Sequence, residues 1–133
     1  MERLTGAAAD PAHMNPLTLA FVGDGVYELF VRETMVAQAE ARVKDLHAGA
    51  VSRVRCEAQA KAAHEALLPA LTEEERAVYN RGRNAHVGHV PKNACVADYH
   101  AATAFEAVFG YLYLKGEIGR LRELFALCSA TFV

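Results

Sequence analysis

Apolar residues recur at helical spacing through most of the chain, and no alternation of apolar and polar residues lasts long enough to make a trustworthy strand. Asn15-Pro16 has the form of a helix start, with Asn as cap and Pro in the first helical position, and the apolar segment behind it runs to about Ala39. A second helix is predicted over about Lys44 to Leu67. There Leu46, Ala50, Val54 and Ala58 repeat every four residues, with Arg53, Arg55, Glu57 and Lys61 left for other faces. It should stop before Pro69. Thr72-Glu-Glu-Glu75 fits a capping box opening a short helix to about Arg81. Gly82, Gly88 and Pro91 then break any regular pattern, so Gly82 to about Ala97 reads as a loop. Asp98 is placed to cap a helix with a core stripe of Ala102, Phe105, Phe109 and Leu112, which Gly116 ends. A last amphipathic helix, about Ile118 to Ala130, gathers Ile118, Leu121, Leu124, Phe125 and Cys128 on one side. The expectation is an all-α fold.

With 133 residues and 53% apolar content, the chain has enough material for one hydrophobic core, so a single domain over 1–133 is expected. Met1 to Ala12 carries Glu2, Arg3 and Asp10 and does not resemble a secretory leader. No apolar run reaches the roughly 20 residues of a membrane helix. A cytoplasmic protein without membrane contact follows as an expectation. Cys56, Cys95 and Cys128 are too few and too scattered for a disulfide framework. A zinc site from His86, His89 and Cys95 would have only three mixed ligands in a loop, and is set aside.

The net charge of -2 does not advertise nucleic-acid binding, but its distribution changes the picture. Arg76 to Ala97 contains no acidic residue and holds Arg76, Arg81, Arg83 and Lys92; without those four cations the remainder stands at -6. Arg81, Arg83, Asn84, His86, Lys92 and Asn93 combine cations with amides in the glycine-bearing loop. Arginine forks suit phosphate, and asparagine can reach a 2′-hydroxyl or a base edge. A merely solvated basic loop would look the same.

Two carboxylates stand out against apolar surroundings. Asp24 lies between Gly23 and Gly25 inside the first helical segment, where two interior glycines cost about 2 kcal/mol relative to alanine. Small residues there would let another backbone, or a metal with its phosphate ligand, approach closely. The alternative is that Asp24 caps a new helix after a turn at Gly23. Glu106 is the only carboxylate between Asp98 and Glu117, in a stripe with Thr103, Gly110 and Tyr113. It needs water, a cation or a metal, or else it is an ordinary surface glutamate.

Leu19-Ala-Phe-Val-Gly-Asp-Gly-Val-Tyr-Glu-Leu-Phe-Val-Arg32 resembles the first catalytic helix of the Mini-ribonuclease III branch of the ribonuclease III family. Arg81-Gly-Arg-Asn-Ala85 with Pro91-Lys-Asn93 resembles that family's substrate-binding loop, and Tyr99 to Leu114 its second catalytic helix. Asp45-Leu-His47 and Thr72-Glu-Glu-Glu75 agree as well, so the resemblance covers about residues 14 to 127. It implies a ribonuclease III-type helical domain forming a two-fold dimer, cutting double-stranded RNA with Mg2+, or Mn2+ in its place, to leave short 3′ overhangs. Asp24 and Glu106 would be the catalytic, metal-binding residues on that resemblance; from spacing alone, Glu28 lies one turn beyond Asp24, where a water could link it to the site. The substrate that the resemblance implies is a stem flanking the large-subunit (23S) ribosomal RNA precursor.

Full-length ribonuclease III has two further carboxylates, at the positions of Ala20 and Thr103 here. The Mini branch also lacks them, which leaves the number of metal ions open, and no separate double-stranded-RNA-binding domain is expected. Two other readings stay available: a catalytically silent helical dimer that binds structured RNA, and a metal-binding small-molecule enzyme on a helical scaffold.

Overall fold

The first helix begins where its cap signal lies. The Asn15 side chain accepts the Leu17 amide at 2.8 Å, and α1 spans Pro16–Gln38. In the computed structural model, which describes residues 3–38, 42–85, 90, 92 and 95–132, helices follow one another with no strand among the described residues. They are α2 (Val43–Val54), α3 (Cys56–Ala62), a π-helical turn (Ala63–Leu67), α4 (Leu68–Ala70), α5 (Glu73–Arg83), α6 (Val96–Leu114) and α7 (Ile118–Ser129).

The most heavily buried helix, α6, forms the centre, and α1, α3, α5 and α7 pack around it. Its stripe of Ala102, Phe105, Phe109 and Leu112 is buried as the spacing predicts. Phe105 and Phe109 stack at 4.8 Å, and Tyr27 of α1 meets both edge-on at 4.9 and 5.4 Å. Such rings contribute about 0.5–1.5 kcal/mol per pair beyond their buried area. Leu121, Leu124, Phe125 and Cys128 of α7 complete this core.

At the α1–α6 crossing the two backbones touch. A Cβ on Gly23 would overlap the Glu106 carbonyl and lie 2.8 Å from the Gly110 amide nitrogen; one on Gly110 would overlap the Leu19 carbonyl. Close helix approach is therefore what offsets the cost of the Gly23 substitution for alanine. Gly25 has open space around it instead. Because α1 runs unbroken through Asp24, that residue is not the cap of a new helix.

Four boundaries differ from the sequence expectation. The predicted second helix is interrupted at Arg55, which is extended (φ -62, ψ 152), so α3 restarts with a new face inward. Helical turns continue past Pro69, which follows Leu68 just beyond the π-helical turn and is itself followed by one more helical residue, Ala70. Gly82 is not a breaker: it is the last-turn contact of α5 on α6, where a Cβ would come within 2.9 Å of the Ala104 Cα. Asp98 is not the cap of α6, which starts at Val96 after Cys95 and holds Asp98 in its first turn, beside the positive end of the helix dipole. The capping box is present, with Glu75 N donating to Thr72 Oγ1 at 3.2 Å and Thr72 N to Glu75 Oε1 at 2.9 Å. Gly116, at φ +80, closes α6 in the left-handed conformation expected of it. No described helix is long and apolar enough to cross a membrane.

Candidate active site

The Gly23–Gly110 contact fixes the distance between the helices that carry the two unusual carboxylates. Asp24 follows Gly23 directly on α1, and Glu106 is one turn before Gly110 on α6. Their carboxylates are close enough to act on one another electrostatically. Asp24 is exposed and Glu106 half-buried, so the pair sits at the edge of the core, with one member open to solvent.

Burial first, and then the facing Asp24 carboxylate, push the Glu106 carboxyl well above the usual range; a hydrogen bond from Gln59 works in the opposite direction. Two carboxylates drawn together repel, and a shared proton or a cation relieves that repulsion. Among the described residues no lysine, arginine or histidine forms an ion pair with either one. No group of three or more metal-ligating side chains occurs among them either. The donor set is thus two hard oxygen ligands with no counter-ion among the described residues, which fits a small divalent cation completing its shell with water and phosphate oxygens.

Gln59 is the residue that the spacing argument missed. It is 2% exposed, and its Nε2 donates to Glu106 Oε2 at 3.4 Å. The four-residue repeat through Val54 and Ala58 turns it away from the core; only the break at Arg55 brings it inward. A glutamine in an otherwise alanine-rich segment was the available signal. Glu28, read as a possible assistant, is engaged in an ion pair with Arg32 at 2.7 Å along α1. Thr103 is buried and donates to the Tyr99 carbonyl at 3.0 Å.

Of the loop residues, Arg81, Arg83, Asn84 and Lys92 are exposed, and His86 and Asn93 lie outside the described residues. Arg81 and Arg83 sit on the last turn of α5, which Gly82 clamps against Ala104 and Ala107, the residues flanking Glu106 on α6. Arg81 also donates to the Met14 carbonyl at 2.9 Å, so part of its guanidinium ties α5 to the start of α1.

Residues 17–117 match the family model of the Ribonuclease III domain, a span that contains both carboxylates and Gln59. The chain belongs to the ribonuclease III family. Within it, the likeness is to the Mini branch of these endoribonucleases. A Mini-ribonuclease 3 from Symbiobacterium thermophilum is 50% identical over 116 residues, covering 87% of this chain and 88% of that protein. One from Brevibacillus brevis is 46% identical over 115 residues, covering 86% and 85%. A crystal structure of a Fusobacterium nucleatum protein has the same fold, with a TM-score of 0.81 at 24% identity over 89% of this chain and 96% of that one.

Proposed function

We propose that this chain is a Mg2+-dependent endoribonuclease that cleaves double-stranded RNA as a homodimer. Its substrate on this reading is the paired ends flanking the large-subunit (23S) ribosomal RNA precursor in the cytoplasm. The observation that carries the catalytic part is the meeting of Asp24 and Glu106 across the α1–α6 crossing, with no cation on either among the described residues.

Asp24 and Glu106 would hold the Mg2+, or Mn2+ in its place. When bound, the ion lowers the pKa of its water and stabilises charge developing on the phosphate. The chain contributes the rest. Backbone contact at Gly23 and Gly110 holds the carboxylates in a fixed relation, so little reorganisation is needed when the reaction occurs. Arg83 and Lys92, with the free part of Arg81, would take phosphates, and Asn84 a ribose hydroxyl.

Support for the homodimer comes from α1. Phe21, Leu29 and Val36 are 83%, 55% and 59% exposed, and Leu29 also lines an open groove of about 360 Å³ with Val22, Val26, Phe30 and Ile118, rimmed by Glu33 and Arg122. Apolar surface of this kind is ordinarily covered in a stable assembly. A two-fold pair would offer equivalent sites to the two antiparallel strands.

A labelled RNA duplex, incubated with the purified chain with and without Mg2+, tests the reading. Cleavage of both strands only with Mg2+ or Mn2+ is expected, together with light scattering at twice the 14.4 kDa chain mass. Binding without cleavage at any metal concentration would leave a silent RNA-binding dimer instead.

A further inference from the structure

Gln59 is a buried amide where an apolar residue would be cheaper, because a primary amide taken out of water must recover its hydrogen bonds. Its neighbours in the segment, Ala60, Ala62 and Ala63, are all buried and apolar. Among the described residues, its side chain is the only one that donates to the Glu106 carboxylate. The chemistry of that donor matters. An arginine or lysine would neutralise Glu106 and compete with a metal for it, whereas an amide donates without bringing a charge. One Glu106 oxygen is thereby occupied by Gln59 Nε2, and the negative charge is left for an ion held jointly with Asp24.

The backbone is arranged for this contact. With the extended Arg55 between α2 and α3, α3 starts in a new register and Gln59 faces α6. We propose that Gln59 is a positioning residue for the metal site, holding the Glu106 carboxylate in its ligating rotamer. The inference rests on the two-carboxylate reading above. Partners that orient metal ligands in this way typically change metal affinity by about 10–100-fold when removed.

The test uses the full chain as Gln59→Met, which keeps side-chain length and removes the donor, and as Gln59→Asn, which keeps the amide one methylene short of Glu106. Mn2+ binding to the free protein, followed by electron paramagnetic resonance, is measured beside the Mg2+ dependence of single-turnover duplex cleavage. Both variants should bind Mn2+ about 10-fold more weakly or worse. The Mg2+ needed for half-maximal cleavage should rise by the same factor, with the rate at saturating Mg2+ restored close to that of the unmodified chain. Should Gln59→Met fail to fold, Gln59→Asn carries the comparison. A folded variant with unchanged Mn2+ affinity, in an unmodified chain that binds the ion through Glu106, overturns the role of Gln59 alone. If the unmodified chain and Glu106→Gln bind Mn2+ equally, the two-carboxylate site falls, and the positioning role with it.

Discussion

Glu75 on α5 and Glu106 on α6 both bring a carboxylate into the helical body, but among the described residues only Glu75 is given a cation. Glu75 is 5% exposed and receives Arg120 Nε at 2.9 Å and Nη2 at 2.8 Å, plus the Thr72 amide at 2.9 Å. Burial raises its proton affinity, but Arg120 and Thr72 outweigh that and hold the carboxyl below the usual range. Glu106 meets a second carboxylate and one neutral amide, and is pushed the other way. The first arrangement is complete in itself and serves stability. The second is incomplete until something positive arrives, and such a deficit at the edge of a core is the electrostatic mark of a site.

The largest effect expected from this contrast is on catalysis. Asp24→Asn and Glu106→Gln keep shape and remove charge, and each should abolish cleavage, a loss of several kcal/mol of transition-state stabilisation. Folding and much of duplex binding should survive, since no ion pair among the described residues is broken. Single-turnover cleavage over a Mg2+ titration, with binding measured in Ca2+, checks both. Near-normal cleavage by either variant would dissolve the distinction between the two glutamates.

Arg120→Leu is the converse. It strips a buried carboxylate of its partner and should destabilise the fold by about 3 kcal/mol, seen as a lower urea midpoint. The metal dependence of cleavage should stay unchanged at a temperature where the variant is folded. A shift in metal affinity would mean that the α5–α7 pair and the α1–α6 pair are coupled.

These two regions were unequally legible in the amino-acid pattern. Asn15, Thr72 with Glu75, and Gly116 announce helix ends through their own side-chain or backbone chemistry, and each is used as announced. Gly23 and Asp24 were conspicuous because glycine and charge are both costly inside an apolar helix. The spacing could not say whether the glycine admits a backbone or a ligand; the Glu106 carbonyl and Gly110 answer that. Gln59 was hidden for a different reason. Val51-Ser-Arg-Val-Arg-Cys56 contains neither glycine nor proline, so nothing local marks Arg55 as extended, and tertiary packing decides the register beyond it. Arg120 was likewise unreadable, since its partner is 45 residues away.

Acid pH should separate the stabilising pair from the site more gently. Because the folded Glu75 carboxyl titrates below its unfolded value, its contribution is present in full above the unfolded pKa. It disappears as pH falls through the folded one. Glu75→Gln should therefore be less stable than the unmodified chain at neutral pH, with the gap closing as the solution is acidified. Urea unfolding at a series of pH values measures this. A gap that persists unchanged into acid would mean that the Glu75 charge contributes nothing and only its shape matters.

Thr72→Ala should give the smallest change and sharpens the account of why Glu75 is satisfied. The substitution removes Oγ1, the acceptor for the Glu75 amide at 3.2 Å, so an N-terminal donor of α5 loses its partner. It leaves the Thr72 amide, which still donates to Glu75 Oε1, and leaves both Arg120 contacts in place. Loss of an N-cap typically costs about 1 kcal/mol, and that figure is expected here. Combining it with Arg120→Leu makes the test stricter, because both partners act on one side chain and their effects need not add. If Thr72 acts only as the helix cap, the double variant should lose the sum of the two single losses. If it instead steers the Glu75 carboxylate toward Arg120, then once the guanidinium is gone the threonine has less left to do, and the double variant should lose less than the sum. Cleavage under saturating Mg2+ should be unaffected by Thr72→Ala in either case, because neither Asp24 nor Glu106 hydrogen-bonds any part of this network.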